Sequence, residues 1–275
     1  METHGLLLIH YDIEPSDQAL LHKTFSSMQQ LFNLPHETKL KNSTPKPYYT
    51  YLNTATYETL AVINSSPPEE LRAFTRLMWP NGNDDKFYET MNLMSKKMRE
   101  LSMIILNMLR NSYGIGLDVK EENIDPLFRM MKYSAPMSDE PVHGVAPHTD
   151  RNFITLLCQN EVDGLLFKPR DDGEWVKVNP DPGSFIVFAG DALRVWSNGR
   201  VHSPPHMVMM CGDKERLSCG LFLCPKGDQV VEPCHDLVDD EHPPLFKPFI
   251  FLDYLHYASE NAFRVDTVLD SFAGI

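Results

Sequence analysis

Apolar positions that recur every three or four residues predict two long helices in the first half of the chain. The first carries Leu20, Leu21, Phe25, Met28, Leu31 and Phe32 on one stripe, can be capped by Ser16 or Asp17, and ends before Pro35. The second spans Asn83 to Tyr113, where Phe87, Met91, Met94, Met98, Leu101, Ile105 and Met108 step by four and three without a break. Gly114 supplies its stop. The methionines on that seam read as adaptable core filling. Ahead of both helices, the short apolar run Leu6 to Tyr11 predicts a buried strand. Between them, His36 to Leu40 predicts a helical turn. Thr44 to Tyr51, with Pro45, Pro47 and the tyrosines Tyr48, Tyr49 and Tyr51, predicts an extended or looping stretch.

Downstream the pattern changes to short strands. Pro126 to Tyr133 reads as a strand, and Ser134 to Val145, rich in Pro, Ser, Asp and Gly, as a loop. Further strands are predicted at Phe153–Cys158, Leu165–Lys168, Glu174–Val178, Ser184–Phe188, Met207–Cys211 and Leu217–Cys224. Turn signals separate them at Asp163-Gly164, Asp171-Asp172-Gly173, Asp181-Pro182-Gly183 and Cys211-Gly212-Asp213. Such a series argues for a β-sandwich or jelly roll, whose mouth can hold a small ligand. After Pro225 a polar, proline-bearing stretch reads as loop to Pro244, and helices are expected near Phe249–Tyr257 and Glu260–Phe272. No repeat, linker or composition shift marks a second domain. The expectation is one domain over 1–275 of mixed α and β: a mainly helical flanking part (1–126), a jelly-roll core (127–225) and C-terminal helices (226–275).

With 275 residues and 42% hydrophobic positions the chain can bury a large core. A formal charge of −13 argues against nucleic acid or an anionic membrane as partner, since phosphate binding needs a clustered basic face. The five cysteines are odd in number and show no Cys-x-x-Cys spacing, so reduced thiols and a cytoplasmic location are expected. The start has no basic region, and the run Leu6 to Ile9 is too short for a signal peptide or a membrane span. A monomer acting on a small molecule is the expected form.

The candidate chemistry lies between Ala146 and Phe222. In an extended segment His148 and Asp150 send their side chains to the same face, which makes half a metal site. His206 lies far enough downstream for a sheet to fold it back against them. Two imidazoles and one carboxylate on one face of an octahedral ion leave the opposite face open, as in non-haem Fe(II) oxygenases. Arg216 and Ser218 form a second same-face pair, and a guanidinium fork beside a hydroxyl suits the carboxylate of a keto acid. His202 shares strand parity with His206 and is its rival. His143, His235, His242 and His256 read as surface residues, and Asp191 with Arg194 reads equally well as a surface pair.

His-x-Asp alone recurs by chance; the series His-x-Asp, distant His, Arg-x-Ser is far more specific. With the run Pro147 to Leu157, the segment Asn198-Gly199-Arg200 and the run Arg216 to Phe222, the chain resembles the Fe(II)- and 2-oxoglutarate-dependent dioxygenases of plant specialised metabolism. Within that family the resemblance is strongest to the AOP branch, named for glucosinolate side-chain dioxygenases. It is carried by Phe74 to Pro80, His202 to His206 and Glu241 to Phe249.

The resemblance implies a double-stranded β-helix flanked by helices, with Fe(II) on His148, Asp150 and His206. His206 is favoured over His202 by its distance from Arg216. It also implies 2-oxoglutarate against Arg216, Ser218 and Tyr133, O2 as oxidant, ascorbate as reductant, and hydroxylation, desaturation or dealkylation as the outcome. Met131 stands where many members carry Asn, and Met207 where Arg is usual. Tyr49, Phe167, Trp196 and Phe222 are expected pocket walls, suited to an apolar or aromatic substrate. Family members usually carry a longer segment before His4-Gly5. A second expectation is therefore an N-terminally truncated, catalytically impaired homologue that binds metal or metabolite.

Overall fold

Antiparallel pairing builds two sheets in the computed structural model, which describes residues 1–10, 15–63, 68–82, 84–114, 121–170, 173–262 and 268–275. The first half holds β1 (Leu6–Ile9), α1 (Pro15–Phe32), α2 (His36–Lys39), β2 (Leu52–Asn53), β3 (Tyr57–Ile63), α3 (Pro68–Met78) and α4 (Asp85–Ser112). The strand-rich part holds β4 (Ile124–Tyr133), β5 (Ser138–His148), β6 (Ile154–Gln159), β7 (Leu165–Phe167), β8 (Val176–Lys177), β9 (Phe185–Ala189), α5 (Asp191–Trp196), β10 (His206–Gly212) and β11 (Arg216–Pro225). It is followed by β12 (Val230–Val231), β13 (Phe249–Ile250), α6 (Phe251–Glu260) and α7 (Val268–Ala273).

The larger sheet runs β1-β9-β6-β11-β4-β3-β2 and the smaller β5-β10-β7-β8, the jelly-roll pair that the strand series predicts. Helices α1 and α4 pack on the outer face of the larger sheet, while its inner face meets the smaller sheet. A strand covered on both faces has no polar alternation to show. Hence all five residues of β9 are buried, and in β11 only Phe222 is partly open. An inner cluster joins Met131, Tyr133, Ile186 and Phe188 of the larger sheet to Leu165, Phe167, Val208 and Met210 of the smaller one.

Several elements differ from expectation. The predicted loop Ser134–Val145 is mostly β5, an edge strand paired on one side only, to β10. Its polar, Pro- and Gly-bearing composition belongs to an exposed edge, where missing N–H groups cost nothing. β1 is likewise an edge strand, paired to β9, with Leu7 and Leu8 partly exposed instead of buried. The α4 seam is buried at Phe87, Met91, Met94, Met98 and Ile105, but Met108 is 65% exposed, because periodicity cannot say where the partner surface stops. The strand β3 and the helices α3 and α5 were not among the expected elements. Gly114 does end α4, at φ +66° with its N–H on the Asn111 carbonyl. The side chains of Ser16 and Asp17, residue Asn83 and the turn residues Asp171 and Asp172 lie outside the described residues. No helix among those residues is long and apolar enough to cross a membrane.

Met98 is fully buried between α4 and the sheet. Met98→Ala is expected to cost about 2–5 kcal/mol in urea unfolding, whereas Met108→Ala is expected to stay within about 0.5 kcal/mol.

Candidate metal centre and co-substrate pocket

The register of the smaller sheet brings the two histidines together. His148 ends β5, His206 begins β10, and they lie opposite one another with ring centroids 4.3 Å apart. Asp150, just past the end of β5, is buried with Oδ1 4.0 Å from His148 Nε2 and 3.8 Å from His206 Nε2. Ligand atoms of these three all lie within 4.8 Å of one another, and among the described residues no other such metal-binding group occurs. His148 Nδ1 is 2.9 Å from the Ala146 carbonyl and His206 Nδ1 is 3.1 Å from the Pro204 carbonyl. A carbonyl only accepts, so each Nδ1 carries the proton and each Nε2 lone pair is free to face Asp150. Phe188 stacks on the His206 ring at 4.5 Å. Although 37% of its side-chain surface is open to the cavity, His148 is held at a pKa of about 4, by burial first and by neighbouring His206 second. It is therefore neutral at pH 7. The rival His202 turns away, with Nε2 3.4 Å from the Lys168 carbonyl, and His143, His235, His242 and His256 are exposed.

A buried carboxylate ties this corner together. Asp191, 1% exposed, accepts from Tyr254 Oη (2.6 Å), Arg151 Nη1 (2.7 Å), Thr149 Oγ1 (3.0 Å) and Ser203 Oγ (2.8 Å). Its own N–H donates to the Asp150 carbonyl at 2.7 Å. Burial is the strongest single influence and works against the Arg151 charge, but Asp191 together with Tyr254 outweighs it and the Arg151 pKa is raised. The preceding residue must be glycine: a Cβ on Gly190 would meet the Asn152 carbonyl oxygen at 2.1 Å. The surface reading of Asp191 is thus incorrect, and only Arg194 reaches outward, to Asp270 at 3.0 Å. Thr155 donates to Asp150 Oδ2. No local pattern announces Asp191 or Thr155, because their partners are brought in by the fold.

The other end of the cavity belongs to the larger sheet. Arg216 opens β11 directly opposite Tyr133, the last residue of β4. It is fully buried, with Nη2 donating to Gln159 Oε1 (2.7 Å), Nη1 to Ser218 Oγ (3.3 Å), and the guanidinium 4.9 Å over the Tyr133 ring. Its Nε has no partner, and among the described residues no carboxylate lies within ion-pair distance. Burial lowers the Arg216 pKa and pushes the Tyr133 phenol up to about 12, so the phenol stays protonated. An uncompensated buried cation is costly. These groups therefore fit an external carboxylate, just as the His-Asp-His donors fit a divalent iron. Gln159, absent from the sequence reading, lies beside Ser218 across the β6–β11 pair.

A cavity of about 320 Å³ connects the two ends, and Tyr49 and Phe222 line it as expected. Phe167 and Trp196 do not. Phe167 lies opposite His206 on β7 but is buried in the inner cluster beside Val208. Trp196 sits on α5, which packs it edge-on to Tyr113 and beside a separate cavity with Val231 and Phe246. An α5 helix was not expected at that point, and the helical turn directs the indole away from the metal corner.

Residues 124–225 match the 2OG-Fe(II) oxygenase superfamily. The chain is also 39% identical over 257 residues to the "Probable 2-oxoglutarate-dependent dioxygenase AOP1.2" of Arabidopsis thaliana, covering 90% of this chain and 80% of that one. The chain belongs to the 2-oxoglutarate- and Fe(II)-dependent dioxygenases. Within these dioxygenases it falls in the AOP-like branch. Its fold is similar to the rice dioxygenase for auxin oxidation (TM-score 0.85, 28% identity, 98% of this chain and 90% of that one). It is also similar to the Arabidopsis dioxygenase for auxin oxidation 1 solved with 2-oxoglutarate (TM-score 0.79, 27% identity, 88% and 91%). The dioxygenase is accordingly an oxidoreductase using Fe(II), 2-oxoglutarate and O2, and its complete donor set disfavours the impaired-homologue expectation.

Two outcomes follow from this geometry. The folded pKa of His148 lies below its unfolded value of about 6.5, so the unfolded chain takes up the proton first as pH falls. In chelator, Tm is expected to drop between pH 6.5 and about 4, and His148→Gln to flatten that part of the curve. Asp191→Ala strands Arg151 without its counter-ion and is expected to cost about 3–5 kcal/mol in denaturant unfolding, with weaker Fe(II) binding by calorimetry.

Proposed function

We propose that His148, Asp150 and His206 hold the Fe(II), and that Arg216, Ser218 and Tyr133, joined by Gln159, hold the distal carboxylate of 2-oxoglutarate. The observation that carries this reading is Arg216, a fully buried guanidinium with an unpartnered Nε and, among the described residues, no carboxylate beside it, directly opposite a protonated phenol. Fe(II) with 2-oxoglutarate and O2 supplies oxidation of a substrate C–H bond coupled to release of succinate and CO2. The protein's own part is placement. Neutral His148 and the carbonyl-locked ring of His206 present lone pairs, and Thr155 and Asp191 hold Asp150 and its backbone in position. Arg216 and Tyr133 orient the keto acid from the opposite sheet, and Phe188, Leu157 and Phe222 keep bulk water from the reacting centre.

The substrate is a small, largely apolar metabolite, oxidised by hydroxylation, desaturation or dealkylation, with ascorbate as reductant. Apolar walls and a modest cavity support that size and character, and the rice neighbour's action on auxin is in keeping with it. The chain is read as one domain over 1–275, with 127–225 as the catalytic core between the flanking parts 1–126 and 226–275. It is read further as a cytoplasmic monomer; Cys158, Cys211, Cys219 and Cys224 carry free thiols.

Arg216→Gln is expected to raise the half-saturating 2-oxoglutarate concentration about 10- to 100-fold, with little change for the substrate. Equal shifts for both would count against the assigned role. His148→Ala is expected to abolish tight Fe(II) binding in equilibrium dialysis and coupled succinate formation with it.

A further inference from the structure

Three arginines line the cavity, and two of them are accounted for. Arg151 is bound to Asp191, and Arg216 faces the co-substrate end. The third, Arg129, lies on β4 among the inward-facing positions Leu127, Arg129, Met131 and Tyr133. Four residues separate it from Tyr133, about 13 Å along an extended strand. Among the described residues Arg129 makes no hydrogen bond or ion pair. Its Nε is buried without a partner, and its guanidinium lies 5.7 Å from the Phe222 ring. Its neighbours across the strands are Gly220 and Ala61, too small to crowd it.

Two tyrosine hydroxyls in the same cavity are buried without a geometric hydrogen bond: that of Tyr49, beside the Cys224 thiol and under the influence of the Arg129 charge, and that of Tyr48, which lies by Arg151 instead. Tyr49 is only 2% exposed, and burial keeps its phenol protonated, hence a donor. Asp125, the acid that bears on Tyr49, is paired with Lys46 at 3.7 Å and leaves Arg129 uncompensated. A cation with no acid to compensate it and a protonated phenol under its influence are complementary to an oxyanion. The planar side of a guanidinium, Nε included, matches the two oxygens of a carboxylate.

We propose that Arg129, with the hydroxyl of Tyr49, binds a carboxylate on the substrate, which makes that substrate a small apolar or aromatic carboxylic acid. This rests on the reading above, in which Arg216 is engaged by the co-substrate. The acid group then anchors at the Leu127 end of β4, and the apolar body points back toward the metal corner. A cavity of about 320 Å³, shared with the keto acid, limits that body to roughly one ring or a short chain.

The test is calorimetric titration of the full chain, held anaerobically with Fe(II) and 2-oxoglutarate. Phenylacetate, cinnamate and hexanoate are compared with their amides, and phenylacetate with phenylmethanesulfonate. At least one acid is expected to bind about tenfold or more tightly than its amide, and the sulfonate more weakly than phenylacetate. Arg129→Gln should remove the preference, Arg129→Lys restore part of it, and Tyr49→Phe weaken the acid several-fold, all with 2-oxoglutarate affinity unchanged. Acids binding no better than amides, a sulfonate binding as well as phenylacetate, or an Arg129→Gln protein that keeps wild-type acid affinity would overturn the proposal. So would loss of 2-oxoglutarate binding in Arg129→Gln, since that arginine would then serve the co-substrate. Failure of the wild-type chain to bind 2-oxoglutarate sinks the underlying reading instead, and the two failures are thus separable.

Discussion

The pairing of His148 with His206 across β5 and β10 is the constraint on which the centre depends. A slip of one residue in that ladder would turn one imidazole to the far face of the sheet and dissolve the donor set. The pairing is reinforced from outside the ladder. Phe188 presses on the His206 ring from the larger sheet, and Asp191 joins the segment after β5 to the segment before β10 through Thr149, Arg151 and Ser203. The metal corner is therefore as rigid as the contact between the two sheets, and the close approach at Gly190 shows how little slack remains.

Buried charge is handled in two ways around the cavity. Asp191 and Arg151 compensate one another and serve geometry alone. Among the described residues, Arg216 and Arg129 have no acid within ion-pair distance, and each keeps an Nε with nothing to donate to. Desolvating a cation without compensation lowers stability, so these two positions are better understood as prepared for ligands than as parts of the folding core. In both, a tyrosine hydroxyl stands close by, which adds a directional donor to a charge.

Much of this was legible in the chain because the chemistry is written at short range. His148-x-Asp150 and Arg216-x-Ser218 are same-face pairs of an extended backbone, and the α4 seam repeats often enough to be unmistakable. What escaped notice depends on long-range assembly. Asp191 looks like any acid near an arginine until four donors converge on it. β5 reads as a loop because an edge strand has the composition of one. Trp196 was expected among the pocket walls, but it lies on the short helix α5, and that helical turn points it elsewhere. Arg129 had no neighbour in sequence to distinguish it, and only the unpaired state of its guanidinium in the folded chain does so.

The two sheets divide the work. Both histidines belong to the smaller one, whereas Arg216, Arg129, Met131 and Phe222 project from the larger. On the proposed assignment, replacement of β4 or β11 side chains can reshape what the enzyme accepts while the iron corner is left standing. A scaffold arranged in this way is evolvable: descendants can diversify their chemistry's target by drift on one wall, without relearning how to bind the metal on the other.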